Sequence, residues 1–384
     1  MAHAREVGDP LAAPRTRHVG RHVLVGLVVL AVVGWLLYSA VQDIRKGASS
    51  ADALKSLNVW WLAAILVGSI AVMIITTGTT AAPLPRISFR AAFLSQHASQ
   101  AVGNLVPGPS AMAVRYSMLR TYGVSGDEFA RATITVSMVT VVTTSAMPLL
   151  GMIVLALLGS SDPDSSTLVP VAIAATVLAV VVSVLAAMML RSERVTARIA
   201  RAVNVLRARA RHLFRQPPRP DPGIDGALAV RRRLLLGLRE SGTRVVGFVQ
   251  LLYWANGVLM VLCLWAVGIP YSHLGVLAGL AVYTIGRLST LVQVTPGGVG
   301  VVELAYTAAY TAFLGQQWQG RVFAGVVLYR LGTYALPILV GMVSGGVWAL
   351  TARPSYREAR LRQEAGLDPT ATPPIDTETE SSDG

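Results

Sequence analysis

The stretch TPGGVGVVELAY, residues 295–306, puts Pro296, three glycines and Glu303 into apolar sequence where a membrane-spanning helix would otherwise run on. Glycine and proline break helices, and a carboxylate in hydrocarbon costs about 2.5–3.5 kcal/mol even on lenient scales. The segment is therefore either a surface loop or a broken helix lining a cavity inside a membrane protein. Only 14% of the 384 residues are charged, against about 25% in a soluble domain. With apolar runs near 20 residues long, this makes the chain an all-α polytopic integral membrane protein.

The apolar runs cover 22–41, 59–82, 89–120, 131–158, 168–190, 243–268, 272–315 and 321–350. The first follows a basic arm, 1–21. It is long and lacks a small-residue cleavage site, so it reads as a retained span and not a signal peptide. Two runs are interrupted: 89–120 by GNLVPGPS (103–110), and 272–315 by TPGGVG (295–300).

Charge sets the topology. The net charge of +13 would suggest nucleic acid in a soluble protein, but here the arginines gather in loops and termini, as the positive-inside rule demands. Residues 191–240 hold thirteen arginines and four acids, which marks a cytoplasmic loop. Both termini are expected inside as well, and the uncharged-to-acidic loop GSSDPDSST (159–167) outside. An even number of crossings must then separate residue 21 from residue 191, and residue 240 from the tail, 351–384. Four full spans precede the basic loop and two follow it only if 89–120 and 272–315 are re-entrant hairpins, entering from opposite faces. The expected fold has about six full spans and two re-entrant broken-helix hairpins in an inverted repeat, with halves 59–158 and 243–350. Broken helices at corresponding positions of two halves point to a transporter with its site near the midplane.

The hairpin turns align Pro107 and Gly108 with Pro296 and Gly297. Half-helices starting after each proline would turn positive dipole ends and free N–H groups to a cavity, an arrangement suited to an anion. Arg287 and Arg330 lie deep in apolar sequence, too far from an interface to snorkel. Each either grips a phosphate or belongs to an ion pair, such as Arg330 with Glu303. Glu303, seven residues past Pro296, stands too far along to cap its helix; it pairs with arginine or meets a cationic headgroup. Arg115 lies on the way back to the cytoplasmic face, where snorkelling explains it.

Gln96, Gln100 and Asn104 share a helical face at four-residue spacing, with His97 beside them. The stripe faces either a wet cavity or a neighbouring helix. His97 has no partners at metal-ligand spacing, so no metal site is expected. Tyr253, Trp254, Tyr271, Trp318 and Trp348 read as an interfacial belt, and the lone Cys263 as a small buried hydrophobe. GGVGVVE is no dinucleotide fingerprint, and neither H-E-x-x-H nor G-x-S-x-G occurs. QPPRPDPG (216–223) reads as a flexible linker within the basic loop, which sets topology and touches anionic lipid, and the polar tail as disordered.

TPGGVGVVE (295–303) followed by LYRLGTYALPILVG (328–341) resembles the lysylphosphatidylglycerol synthase transmembrane-region family, also called the flippase domain. Pro296, Gly297, Gly298, Gly300 and Glu303 match its P-G-G-x-G-x-x-E motif, and Tyr329, Arg330, Leu331, Pro337 and Gly341 match the helix after it. In the first half Arg115 fits the family's arginine, whereas Ala111 and Met112 replace its Gly-Glu pair, and TVSMVTVVTT (135–144) replaces an acidic and basic pair. The resemblance implies movement of a phospholipid or polyprenyl-linked lipid between leaflets of the plasma membrane. No soluble synthase domain is expected in this chain, no enzyme activity and no cofactor. The expected partners are membrane lipids (an anionic or aminoacylated phospholipid, or a polyprenyl phosphate), with a homo-oligomer or an envelope synthase open and nucleic acid excluded. The alternatives are an integral-membrane lipid-modifying transferase, with Glu303 or His97 as base, and a non-transporting partner of an envelope synthase.

Overall fold

The computed structural model describes residues 57–106, 109–158, 168–213, 223–291 and 296–364. The expected first span 22–41, the loop 159–167, most of the linker, the turn at Pro107 and Gly108, and the tail end lie outside these residues. Everything described is helical or connecting; no strand occurs among the described residues. Eleven α-helices are described: α1 (Val59–Ala81), α2 (Phe89–Leu105), α3 (Ser110–Arg120), α4 (Gly126–Leu157), α5 (Leu168–Arg191), α6 (Glu193–Leu213), α7 (Gly223–Ala266), α8 (Val276–Arg287), α9 (Val301–Leu314), α10 (Gln319–Arg330) and α11 (Leu336–Glu364). Among the described residues four helical stretches are long and apolar enough to cross a membrane: Val59–Ala81, Gly126–Leu157, Gly223–Ala266 and Gln316–Ala352. The protein is an all-α membrane protein.

The starts of these helices are written in their caps. The Asn58 side chain accepts from the Trp60 amide at 3.2 Å, and Ser88 accepts from Ala91 at 3.2 Å. Ser125 and Glu128 form a reciprocal capping box that starts α4 five residues before the apolar run suggested. The basic segment 191–240 is mostly not loop. Its Ala-, Leu- and Arg-rich stretches are good helix formers, so they build α6 and about the first five turns of α7.

The last long helix also departs from expectation. The run 321–350 is α10, a π-helical turn at Leu331–Ala335, then α11. Pro337 has no N–H to give to the Thr333 carbonyl and its ring crowds that group, so the ladder widens just ahead of it.

Each interrupted run forms a hairpin whose two ends stay together. Leu84 and Ile87 before α2 pack in one cluster with Leu119 in the last turn of α3 and Val124 after it. At the second hairpin, His273 before α8 packs its ring 5.3 Å from that of Trp318 after α9, and Arg321 donates to the Gly268 carbonyl at 2.8 Å. The two pairs of ends sit at well-separated levels along α7. The first lies near Glu240, which pairs with Arg131 at 2.9 Å, and the second near Gly268. From Glu240 to Ala266, the last residue of α7, the helix rise amounts to about 39 Å.

The halves exchange partners. α11 packs along α2, and α4 along α8, while the leading helices α1 and α7 pack on each other. Both exchanged contacts include a glycine with no room for a side chain. A Cβ on Gly341 of α11 would run into the His97 carbonyl and, at 2.6 Å, Ala101 of α2. A Cβ on Gly151 of α4 would meet the Ala281 carbonyl at 2.7 Å and collide with Thr284 of α8. Lipid tails are as apolar as leucine, so close backbone approach through small residues is what joins helices here.

Candidate functional site

The tip of the second hairpin is shaped by glycine. Gly297, Gly298 and Gly300 have φ of 61°, 69° and 87°, a left-handed region that costs other residues about 1–2 kcal/mol. Pro296–Gly298 forms a 3-10 turn of its own, so α9 does not start behind the proline but at Val301. This overturns the expectation for Glu303. It is the third residue of α9, and its Oε2 accepts from the Gly300 amide at 2.6 Å, capping the helix. The carboxylate thus occupies the dipole end that the proline position offered to an anion.

Arg330, the last residue of α10, closes the same tip. Its Nε donates to Glu303 Oε1 at 2.6 Å and its Nη2 to the Gly297 carbonyl at 2.8 Å. The guanidinium lies 4.6 Å from the centre of the Tyr334 ring, within cation–π range. Tyr334 sits on the π-helical turn, and its hydroxyl donates to the Asn104 carbonyl at 3.0 Å, at the end of α2. The Tyr334 ring also fills the space where a Gly297 side chain would stand. Through Arg330 and Tyr334 the two hairpin tips are joined.

Beside this junction lies a cavity of ≈ 170 Å³, with Thr76 of α1, His97 and Gln100 of α2, Asn256 of α7, Arg287 of α8, Tyr306 of α9 and Tyr329 and Arg330 of α10 in its wall. Arg287 ends α8, and its Nε is buried without a hydrogen-bond partner. Among the described residues no carboxylate pairs with it. Its electrostatic neighbours are Tyr253, Tyr283, Tyr306 and Tyr329. The Tyr283 and Tyr306 rings stack at 5.5 Å, and Tyr329 donates to Asn256 Oδ1 at 3.0 Å. Tyr253 is correspondingly not part of an interfacial belt: it is buried, 5.6 Å from the ring of Tyr283.

The polar stripe of α2 divides. Gln96 is buried against α1, where Thr80 donates to its Oε1 at 2.6 Å. Gln100 reaches the cavity wall with its Oε1 buried and unpartnered, while Asn104 supplies its carbonyl to Tyr334. His97 Nε2 lies 3.2 Å from Thr77 Oγ1. Arg115 stays inside the first hairpin, donating from Nε to Ser99 Oγ at 2.9 Å, and does not reach the cavity wall. Pro107 and Gly108 lie outside the described residues, and Gly298 is buried in its own turn. Arg287, Gln100 and Arg330 therefore meet at one cavity, with Gly297, Gly300 and Glu303 holding the frame around it.

The tyrosines are what sequence reading missed. Tyr283, Tyr306 and Tyr329 fall in the middles of apolar runs and not at their ends, which was the available signal. Among the described residues no group of His, Cys, Asp and Glu side chains is placed to hold a metal ion. What the site offers is charge: two guanidiniums, one carboxylate already used twice, and hydroxyl and amide groups around a small cavity.

Compared with known protein families, the chain matches the family model described as "Lysylphosphatidylglycerol synthase TM region" over residues 23–341, which includes both hairpins and the joining helices. No curated protein matches it.

Proposed function

The chain belongs to the lysylphosphatidylglycerol synthase TM-region family, and on that footing we propose that it moves a phospholipid or polyprenyl-linked lipid between membrane leaflets. Membership ties it to membrane phospholipids; the movement is our reading. The observation that carries it is the meeting of the two hairpin tips through Tyr334, which donates to the Asn104 carbonyl, beside a polar cavity level with Asn256, between the two pairs of hairpin ends. A helix broken at membrane depth is tolerated only where protein or a water-filled cavity surrounds it. Two tips reaching that depth from opposite ends support hairpins that re-enter from opposite faces, and the exchanged packing of α11 on α2 and α4 on α8 supports an inverted repeat.

In this reading the arginine-rich end of α7 and both termini face the cytoplasm across a plasma membrane. A headgroup enters the cavity while its acyl chains remain in the bilayer. Arg287 attracts its phosphate, and the Glu303–Arg330 pair holds the second tip in shape. Parting of the tips at Tyr334 and Asn104 would open the cavity to one side or the other. No catalytic step is assigned to the site.

The test is transbilayer movement of tail-labelled phospholipids in proteoliposomes, read with a membrane-impermeant reductant. Movement well above that of protein-free vesicles is expected. A lipid-modifying transferase would instead form product in detergent micelles, where no leaflets exist, and a partner of a synthase would do neither.

A further inference from the structure

The charges in the cavity wall do not balance. Glu303 uses one oxygen on Arg330 Nε at 2.6 Å and the other on the Gly300 amide at 2.6 Å. Arg330 gives Nε to Glu303 and Nη2 to Gly297 and rests its face on Tyr334. That pair is neutral and closed: neither member is left to meet a second ion of full charge. Arg287 remains. Its Nε is buried without a partner, no carboxylate among the described residues pairs with it, and its neighbours are tyrosine rings and hydroxyls. An ionised side chain at membrane depth is costly unless it is paired or faces water, and among the described residues the cavity is the outlet that Arg287 lines.

Building on the translocase reading, we infer that the cavity selects its lipid by charge: Arg287 takes the phosphate of a headgroup with net negative charge and turns away headgroups carrying an added amine. A headgroup of one net negative charge cancels the surplus at Arg287 and supplies acceptors to a guanidinium that lacks them. A zwitterionic headgroup brings its own cation into the same small space. A cationic aminoacylated headgroup adds a like charge to Arg287 with no carboxylate free to receive it, since Glu303 is already bound twice. Gln100 Oε1, buried and unpartnered on the cavity wall, is placed to accept from a neutral hydroxyl such as that of a glycerol headgroup. The substrate class is accordingly an anionic phospholipid or a polyprenyl phosphate.

Three tail-labelled lipids in phosphatidylcholine proteoliposomes test this: phosphatidylglycerol, phosphatidylcholine and lysylphosphatidylglycerol. The wild type should move the first about tenfold faster than the other two, the factor that loss of one charge-assisted hydrogen bond brings. Arg287→Gln should erase the preference, and Arg287→Lys should keep it while lowering the rate. Equal rates for all three lipids, or faster movement of the cationic one, would overturn the charge selection and leave translocation standing. Movement of none would sink the translocase reading, and thermal unfolding in neutral detergent then decides the selection separately. Dioctanoyl phosphatidylglycerol should raise the melting temperature of the wild type and Arg287→Lys but not of Arg287→Gln, and dioctanoyl phosphatidylcholine should raise none. Equal stabilisation by both lipids, or by neither, contradicts the inference. Inorganic phosphate stabilising as strongly as the short lipid would assign Arg287 to a free anion and overturn the headgroup assignment.

Discussion

Arg330 Nε lies 2.6 Å from Glu303 Oε1, and the two side chains are only 14% and 17% exposed. The pair ties the end of α10 to the start of α9, with the Gly297 carbonyl as a third anchor. Removing one member of such a pair strands the other. Glu303→Gln or Arg330→Gln is expected to cost about 3 kcal/mol, the low end for broken buried pairs because some water reaches this one. The double variant should lose clearly less than the sum of the singles. Thermal or denaturant unfolding in detergent measures all three.

Gly297 and Gly300 separate two effects of a methyl group. Both have positive φ, so alanine at either costs about 1–2 kcal/mol in backbone strain. At Gly300 nothing lies within 4 Å of the added carbon, whereas at Gly297 it collides with the Tyr334 ring. Gly297→Ala should therefore destabilise more than Gly300→Ala and should also slow lipid movement by disturbing the tip. Equal unfolding temperatures for the two would show that Tyr334 gives way freely.

Tyr334→Phe removes one hydrogen bond, the 3.0 Å contact to the Asn104 carbonyl, and leaves the ring against Gly297 and Arg330. The expected loss is about 1 kcal/mol, with the unpaired carbonyl setting the size. Hydrogen exchange should show the end of α2 losing protection while α10 keeps its own.

Along the contact of α11 with α2, the position of a glycine decides its tolerance. Gly341→Ala drives a methyl into the His97 carbonyl, which is backbone and cannot swing aside; about 1–3 kcal/mol is expected, the range for overpacking. Gly345→Ala meets only Ala98 Cβ at 3.8 Å, an ordinary contact, and should be close to neutral. Measured melting temperatures should rank wild type and Gly345→Ala together, above Gly341→Ala.

Much of the architecture could be read from the residues because membrane sequence is constrained by length, hydropathy and charge at once. The breaks near 106 and 295 and the pairing of Arg330 with Glu303 both follow from residues too costly to leave unexplained in apolar sequence. The helix start at Val301 was not legible, because a 3-10 turn and three left-handed glycines consume the residues after Pro296. Nor was the tyrosine cluster, since an aromatic residue in an apolar run counts as ordinary core until neighbouring helices place it. The split of Gln96 from Gln100 depends on Thr80, sixteen residues away on another helix, and spacing within α2 cannot report it.

The central claim is that lipid crosses the membrane at the junction of the two hairpin tips. It is tested most directly by transbilayer movement of tail-labelled phosphatidylglycerol in proteoliposomes, comparing wild type, Arg330→Gln and protein-free vesicles at matched amounts of folded protein. The account predicts movement well above background with the wild type and a fall of about tenfold or more with Arg330→Gln, whose lost ion pair frames the cavity. Wild-type movement no faster than in protein-free vesicles, with phosphatidylglycerol and polyprenyl phosphate alike, would contradict it.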